Sequence, residues 1–150
     1  MITEKLEDKI DHINISVSNL EEVVEFFVKI LNFQLAKEEF LGGKWIDKVV
    51  TMDNVKAKFV KLVLPDTETS LEIIQYYHPK GSTNPNIHKA NQIGFQHIAF
   101  EVNNIEQVYK KLLDNNIQVF SELQTYRRNK KLCYFHGPDN IILELAEYDE

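Results

Sequence analysis

The sequence predicts an α+β fold in which a short pattern of strand, helix and about three further strands occurs twice. The first observation is a repeat: residues 12–23 read HINISVSNLEEV and residues 97–108 read HIAFEVNNIEQV, with six of twelve positions identical. The second is that LEIIQY at 71–76 is matched by LELAEY at 143–148, with three of six positions identical. Because two segments recur in the same order, we interpret the chain as a duplication.

The first copy begins with an alternation of apolar and polar residues over 10–17, which is typical of a half-buried strand. Ser18 or Asn19 is then expected to cap a helix over 20–31, whose apolar residues fall at helical spacing. Asn32 is expected to end this helix, because asparagine tolerates the left-handed conformation. The remaining expected elements of this copy are strands near 34–40, 49–52, 58–64 and 71–77 and a flexible turn at 42–45.

The second copy repeats this order. A strand is expected over 96–102, followed by Asn103 or Asn104 as the cap of a helix over 105–115. The later expected elements are strands near 118–120, 132–135 and 141–146, a turn at 137–140 and, between the copies, a linker at 78–93. We therefore predict a single domain over 1–150 that is made of two repeats, about 9–78 and 94–149.

Composition and charge limit the classes of partner. The chain has 150 residues, of which 43% are apolar and 27% charged, and this is typical of a globular protein. Its net charge of −6 argues against nucleic-acid binding, which needs clustered lysine and arginine. The one basic run, 127–131, is interpreted as a solvated face or loop, with binding of an anionic substrate as the alternative.

The compartment is predicted from cysteine usage and hydropathy. Cys133 is the single cysteine, so it cannot form an intrachain disulfide and is expected to be a small buried apolar residue. The first residues lack the basic start and apolar core of a signal peptide, and no apolar stretch approaches the ~20 residues that span a membrane. We therefore expect a cytoplasmic protein with no membrane partner.

Four repeated polar residues are the candidates for chemistry. His12 and His97 occupy the polar faces of equivalent strands, and Glu72 and Glu144 interrupt equivalent apolar strands. A buried carboxylate without a partner is costly, so each glutamate needs one. If the copies pack about a pseudo-twofold axis, two imidazoles and two carboxylates would suit one divalent transition metal, namely Zn, Ni, Co, Mn or Fe. The alternative is that each histidine is structural and each glutamate faces solvent.

The pieces DHINISVSNLEEVVEFFVKILNF, LEIIQYY, FQHIAFEVNNIEQVYKKL and YFHGPDNIILELAEY resemble the vicinal oxygen chelate superfamily over about residues 9–148. That superfamily includes glyoxalase I, methylmalonyl-CoA epimerase, extradiol dioxygenases and the bleomycin and fosfomycin resistance proteins. The resemblance implies paired βαβββ modules that form a cup of strands around a metal, and a homodimer. The metal ligands that it implies are His12, Glu72, His97 and Glu144.

Four ligands narrow the implied activity to a metal-dependent lyase or isomerase that moves a proton at a carbon next to a carbonyl or thioester. We expect Glu144 to be the base, with Glu72 the second candidate. Ser16 stands where glutathione-dependent glyoxalases commonly carry arginine, and Glu72 stands where the epimerases commonly carry glutamine. The alternatives are an Fe(II) extradiol-type dioxygenase, which resembles a three-ligand pattern, and a non-catalytic protein that binds a small molecule such as a drug.

Two further residues are candidates for binding the small-molecule substrate. Arg127 could hold a carboxylate or phosphate, although a position in a surface loop is the simpler interpretation. Tyr134 lies in an expected strand, and we expect at most one of Tyr134 and His136 to face the site.

Overall fold

The computed structural model describes residues 8–149 and divides into two compact units, 8–81 and 82–149. Each unit combines a four-stranded sheet with helical segments, which confirms the α+β class. The single domain predicted over 1–150, with repeats at about 9–78 and 94–149, stays a prediction. Residues 1–7 and 150 of that range lie outside the described residues.

The first unit, in its described part, contains four strands and two helices. In chain order they are β1 (His12–Ser16), α1 (Leu20–Leu31), β2 (Gln34–Gly42), α2 (Lys44–Val50), β3 (Lys56–Val63) and β4 (Ser70–His78). The sheet has the order β1-β4-β3-β2, in which β1 and β4 are parallel and the other neighbours are antiparallel. The parallel pairing places Asn14, in the middle of β1, directly beside Glu72 of β4.

Helix α1 forms where its spacing and its caps predict. The Asn19 side chain accepts a hydrogen bond from the Glu22 amide, and Asn32 ends the helix with φ of 61°. Its apolar face is buried and packs against β3 and β4. The buried residues of that face are Leu20, Val23, Phe27, Ile30 and Leu31. The helix thereby covers one face of the sheet.

Removal of the Asn19 cap should destabilise the first unit measurably. We expect Asn19→Ala to lower the free energy of unfolding by about 1 kcal/mol, because one amide at the helix start loses its acceptor. Thermal and urea denaturation followed by circular dichroism would measure this. Asn19→Ser keeps an acceptor and should unfold close to wild type; equal losses in both variants would show that the cap is not responsible.

The strand predicted at 49–52 is wrong. Residues 49 and 50 end helix α2, which begins after Gly43, a residue with φ of 104°. Buried Ile46 anchors this helix against Val55, Ala57 and Ile74. Tertiary contact therefore overrides the β-branched composition that suggested a strand, and the flexible turn predicted at 42–45 is instead the end of β2 and the start of α2.

The second unit repeats the first without a counterpart of α2 among its described residues. Its elements are β5 (His97–Glu101), α3 (Ile105–Asp114), β6 (Gln124–Tyr126), β7 (Lys130–His136) and β8 (Ile142–Tyr148). The sheet order is β5-β8-β7-β6, with β5 parallel to β8. Asn104 caps α3 by accepting from the Gln107 amide, as Asn19 caps α1. The two copies therefore share both topology and capping.

Three predictions for the second unit are corrected or confirmed. The strand expected at 118–120 is reduced to one isolated bridge between Val119 and Phe135, while the short edge strand β6 was missed. The basic run at 127–131 forms the turn after β6 and the first two residues of β7. Cys133 is 3% exposed, as expected, and burial raises the pKa of its thiol to about 11.

No helix among residues 8–149 is both long and apolar enough to cross a membrane.

Candidate metal centre

The first histidine–carboxylate pair lies across the parallel strands β1 and β4. Asn14 is aligned with Glu72 in the register, so His12 and Glu72 share one face of the sheet, opposite the face that α1 covers. The Nδ1 atom of His12 is 3.3 Å from Oε2 of Glu72. The predicted partner of the Glu72 carboxylate is therefore present within the first unit.

A second carboxylate, Asp11, completes this group. Its Oδ2 atom accepts a hydrogen bond of 2.7 Å from His12 Nδ1, and this bond lowers the pKa of Asp11. One ligand atom from each of Asp11, His12 and Glu72 can be chosen so that all three lie within 4.8 Å of one another. The sequence prediction missed Asp11, although its position directly before the strand histidine could have suggested it.

The second pair lies across β5 and β8 in the second unit. The Nε2 atom of His97 is 3.1 Å from Oε1 of Glu144. Glu144 is 4% exposed, so its carboxylate is almost fully removed from water, whereas the Glu72 side chain is 20% exposed. The two pairs thus join the same residue types on equivalent strands, through Nδ1 of His12 and Nε2 of His97, with the second pair more deeply buried.

Lys130 is the other partner of Glu144, and the sequence prediction missed it. Its Nζ atom is 3.3 Å from Oε2 of Glu144 and 5.3 Å from the centroid of the Tyr148 ring. A hydrogen bond to the Tyr148 hydroxyl, followed by the Glu144 carboxylate, raises the pKa of Lys130. Oε2 nevertheless accepts no well-aligned hydrogen bond from the described residues. The alternation of side chains along β7 could have indicated this contact. Lys130 and Tyr134 are an even number of residues apart and so share a face of the sheet, and Tyr134 is aligned with Glu144.

An aromatic group adjoins His97 on the same face of the second sheet. The Tyr134 ring centroid is 4.7 Å from that of His97, and Phe120 packs against both Tyr134 (5.8 Å) and His136 (4.5 Å). The expectation that at most one of Tyr134 and His136 faces the site is wrong, because residues two apart in a strand share a face. Burial and then the charge of His88 lower the pKa of His136. We call Tyr134, Phe120 and His136 the aromatic wall.

Arg127 belongs to a turn and not to strand β7, which carries Tyr134 and His136 of the aromatic wall. It occupies the turn between β6 and β7 with φ of 57°, and its guanidinium carbon is 5.2 Å from the centroid of the Tyr126 ring. This agrees with the simpler interpretation of a loop residue. A role for Arg127 in binding substrate stays a prediction.

The donor set fits a divalent transition metal. Imidazole and carboxylate are ligands of such ions, and each unit presents one of each on a sheet face. The buried Oε2 of Glu144, which lacks an aligned donor, has coordination capacity left. Each pair is formed within its own unit, and convergence of the two pairs on one ion stays a prediction.

Residues 9–145 match the family model described as Glyoxalase/Bleomycin resistance protein/Dioxygenase superfamily. The chain belongs to this superfamily. The vicinal oxygen chelate resemblance inferred from the sequence motifs is thereby confirmed. Comparison with curated protein sequences finds no match to the chain.

Solved structures of glyoxalase-family proteins share this fold. A glyoxalase family protein from Bacillus cereus is 23% identical, with a TM-score of 0.89, and the match covers 100% of this chain and 99% of that one. A glyoxalase family protein from Enterococcus faecalis is 27% identical, with a TM-score of 0.68 over 94% of this chain and 98% of that one. The trypanothione-dependent glyoxalase I of Leishmania major is 15% identical, with a TM-score of 0.67 over 94% and 87%. These likenesses establish the fold of this glyoxalase-superfamily chain and not its substrate.

Proposed function

We propose that this protein is a metal-dependent lyase or isomerase that transfers a proton at a carbon next to a carbonyl or thioester. The single observation that carries the proposal is the recurrence of one histidine–carboxylate pair, at 3.3 Å and 3.1 Å, on equivalent strands of two equivalent units. Duplication would copy the residue types, and in both copies the histidine and the carboxylate stand within contact distance, which is the arrangement that the ligands of one shared ion require.

The proposed ligands are His12, Glu72, His97 and Glu144, and they would hold one Zn, Ni, Co, Mn or Fe ion. A divalent ion bound there supplies a Lewis acid that withdraws electron density from a carbonyl oxygen. Asp11 adds a second carboxylate to this group, because its Oδ2 atom and Oε2 of Glu72 approach the same ring nitrogen, Nδ1 of His12, at 2.7 Å and 3.3 Å.

Glu144 is the proposed base. Its carboxylate would take the proton from the carbon next to the carbonyl, so that the carbon–hydrogen bond breaks, an O–H bond forms and the electron pair moves to the carbonyl oxygen. Delivery of a proton to the opposite face of the same carbon gives an epimer, and delivery to the neighbouring carbon gives an isomer. The 3.1 Å contact with His97 supports this role, because a carboxylate beside a metal ligand would lie close to a carbonyl bound to that metal. Glu72 is the second candidate.

Proton transfer can be measured separately from product formation. Metal-loaded protein in D₂O would be incubated with hemithioacetals and with acyl-CoA epimers, and deuterium at the reacting carbon followed by NMR. We expect exchange in wild type and a loss of roughly 10²–10⁴-fold in Glu144→Gln, the range for removal of a general base. Glu106→Gln is the matched control, since Glu106 is exposed and its ion-pair partner among residues 8–149 is Lys131, outside the proposed ligand set.

The outcome separates this proposal from its rivals. Exchange that persists in both Glu144→Gln and Glu72→Gln would contradict a carboxylate base. Oxygen uptake with catechols in Fe(II)-loaded protein, together with tolerance of Glu72→Gln, would support the extradiol-type dioxygenase instead.

A second candidate function is the binding of a small molecule without turnover. The aromatic wall favours it, because stacked rings beside His97 offer a surface for a planar apolar ligand. This function predicts ligand binding that survives removal of metal and weakens in Tyr134→Ala. Affinity that disappears with the metal would favour the enzyme.

A further inference from the structure

We propose that Lys130 is a built-in counter-cation that competes with the metal for the Glu144 carboxylate and thereby sets the metal affinity of the site. This inference rests on the proposed metal centre and assigns a role to a residue outside the ligand set. The observation that carries it is the 3.3 Å contact between Lys130 Nζ and Oε2 of a carboxylate that is 4% exposed.

The register of strand β7 against β8 fixes the position of Lys130. Lys130 is aligned with Tyr148 in the register of β7 and β8, whereas Tyr134 is aligned with Glu144. Its side chain, 22% exposed, therefore runs along the sheet to reach Glu144, with the ammonium 5.3 Å from the centroid of the Tyr148 ring. The neighbouring Lys131 lies on the other face and pairs with Glu106 at 2.6 Å.

A counter-cation at this site stabilises the buried Glu144 carboxylate. A carboxylate buried without full compensation is costly, and His97 carries a positive charge only when it is protonated. Lys130 supplies a permanent positive charge on the oxygen that has no aligned donor. A divalent ion that binds Glu144 must share that carboxylate with the ammonium and is repelled by its charge, so the same contact that stabilises the empty site weakens metal binding.

The test compares metal affinity in variants of the two adjacent lysines. Lys130→Met keeps the length and apolar character of the stem but removes the charge, and Lys131→Met makes the same change on the other face. We expect Lys130→Met to bind Zn²⁺ or Ni²⁺ more tightly by a factor on the order of ten or more, as Coulomb's law implies for loss of one charge beside a divalent ion. Lys131→Met and the charge-conserving Lys130→Arg should stay close to wild type.

Thermal denaturation supplies a second measurement. Without metal, Lys130→Met should melt below Lys131→Met, and saturating metal should raise its Tm by more than it raises that of wild type. Wild-type metal affinity in Lys130→Met, or weaker binding, would overturn the inference and leave the proposed function intact. Failure of every variant, Lys130→Met included, to bind any of the five metals would overturn both.

Discussion

Replacement of His97 by alanine is expected to lower the affinity for a divalent transition metal by roughly two orders of magnitude or more. The variant removes one imidazole ligand and leaves Glu144 with Lys130 as its remaining charged partner at 3.3 Å. Changes in residues that merely support a ligand already cost about 10–100-fold in affinity, so loss of the ligand itself should exceed that range. Isothermal titration of chelator-treated protein with Zn²⁺ or Ni²⁺ would measure it.

The matched control for this prediction is His88→Ala. His88 is an exposed histidine of the same unit and lies outside the proposed ligand set. Affinity should be unchanged in this variant, which would show that removal of an exposed imidazole from this unit does not by itself weaken metal binding. Equal affinity in wild type and His97→Ala would show that the second pair does not ligate the metal.

Replacement of Phe27 by alanine is expected to destabilise the first unit by about 3–5 kcal/mol, the range for truncation of a fully buried aromatic residue. Phe27 is 0% exposed and packs edge to face on Phe33, with ring centroids 5.6 Å apart. Its loss would leave a cavity between α1 and the sheet that positions His12 and Glu72. The predicted decrease in Tm is about 10 °C or more for a chain of this size.

The control for Phe27→Ala is Phe40→Ala, which truncates a phenylalanine of the same unit that is 78% exposed. Its free energy of unfolding should change by less than about 1 kcal/mol, because little apolar area is lost from the core. Urea denaturation at constant metal concentration compares the two. Similar losses in both variants would contradict the assignment of Phe27 to the core.

The fold was predictable where one pattern dominates. Helix α1 carries both a complete apolar stripe and two asparagine caps, so its bounds were predicted to the residue. Helix α2 was not predictable, because its seven residues are too few for a period and it depends on the contact of Ile46 with the sheet. The short strand β6 was missed because its three residues, QTY, are exposed and carry no alternation to detect.

The candidate site was predictable only in its repeated members. Duplication drew attention to His12, Glu72, His97 and Glu144, and the structure joins them in two pairs. Asp11 and Lys130 have no counterpart in the other copy, where Gln96 and Ala57 occupy the equivalent positions, so the repeat could not indicate them. Their contacts depend on strand register, which is a tertiary property.

The measurement that tests the central claim most directly is the metal content of the protein, by elemental analysis, in wild type, His12→Ala and His97→Ala. If both pairs ligate one ion, wild type holds about one transition metal per chain and either variant loses it. Two ions per chain, with one retained in each variant, would contradict the claim, because each unit would then bind its own metal. A metal content unchanged by both substitutions would contradict it equally.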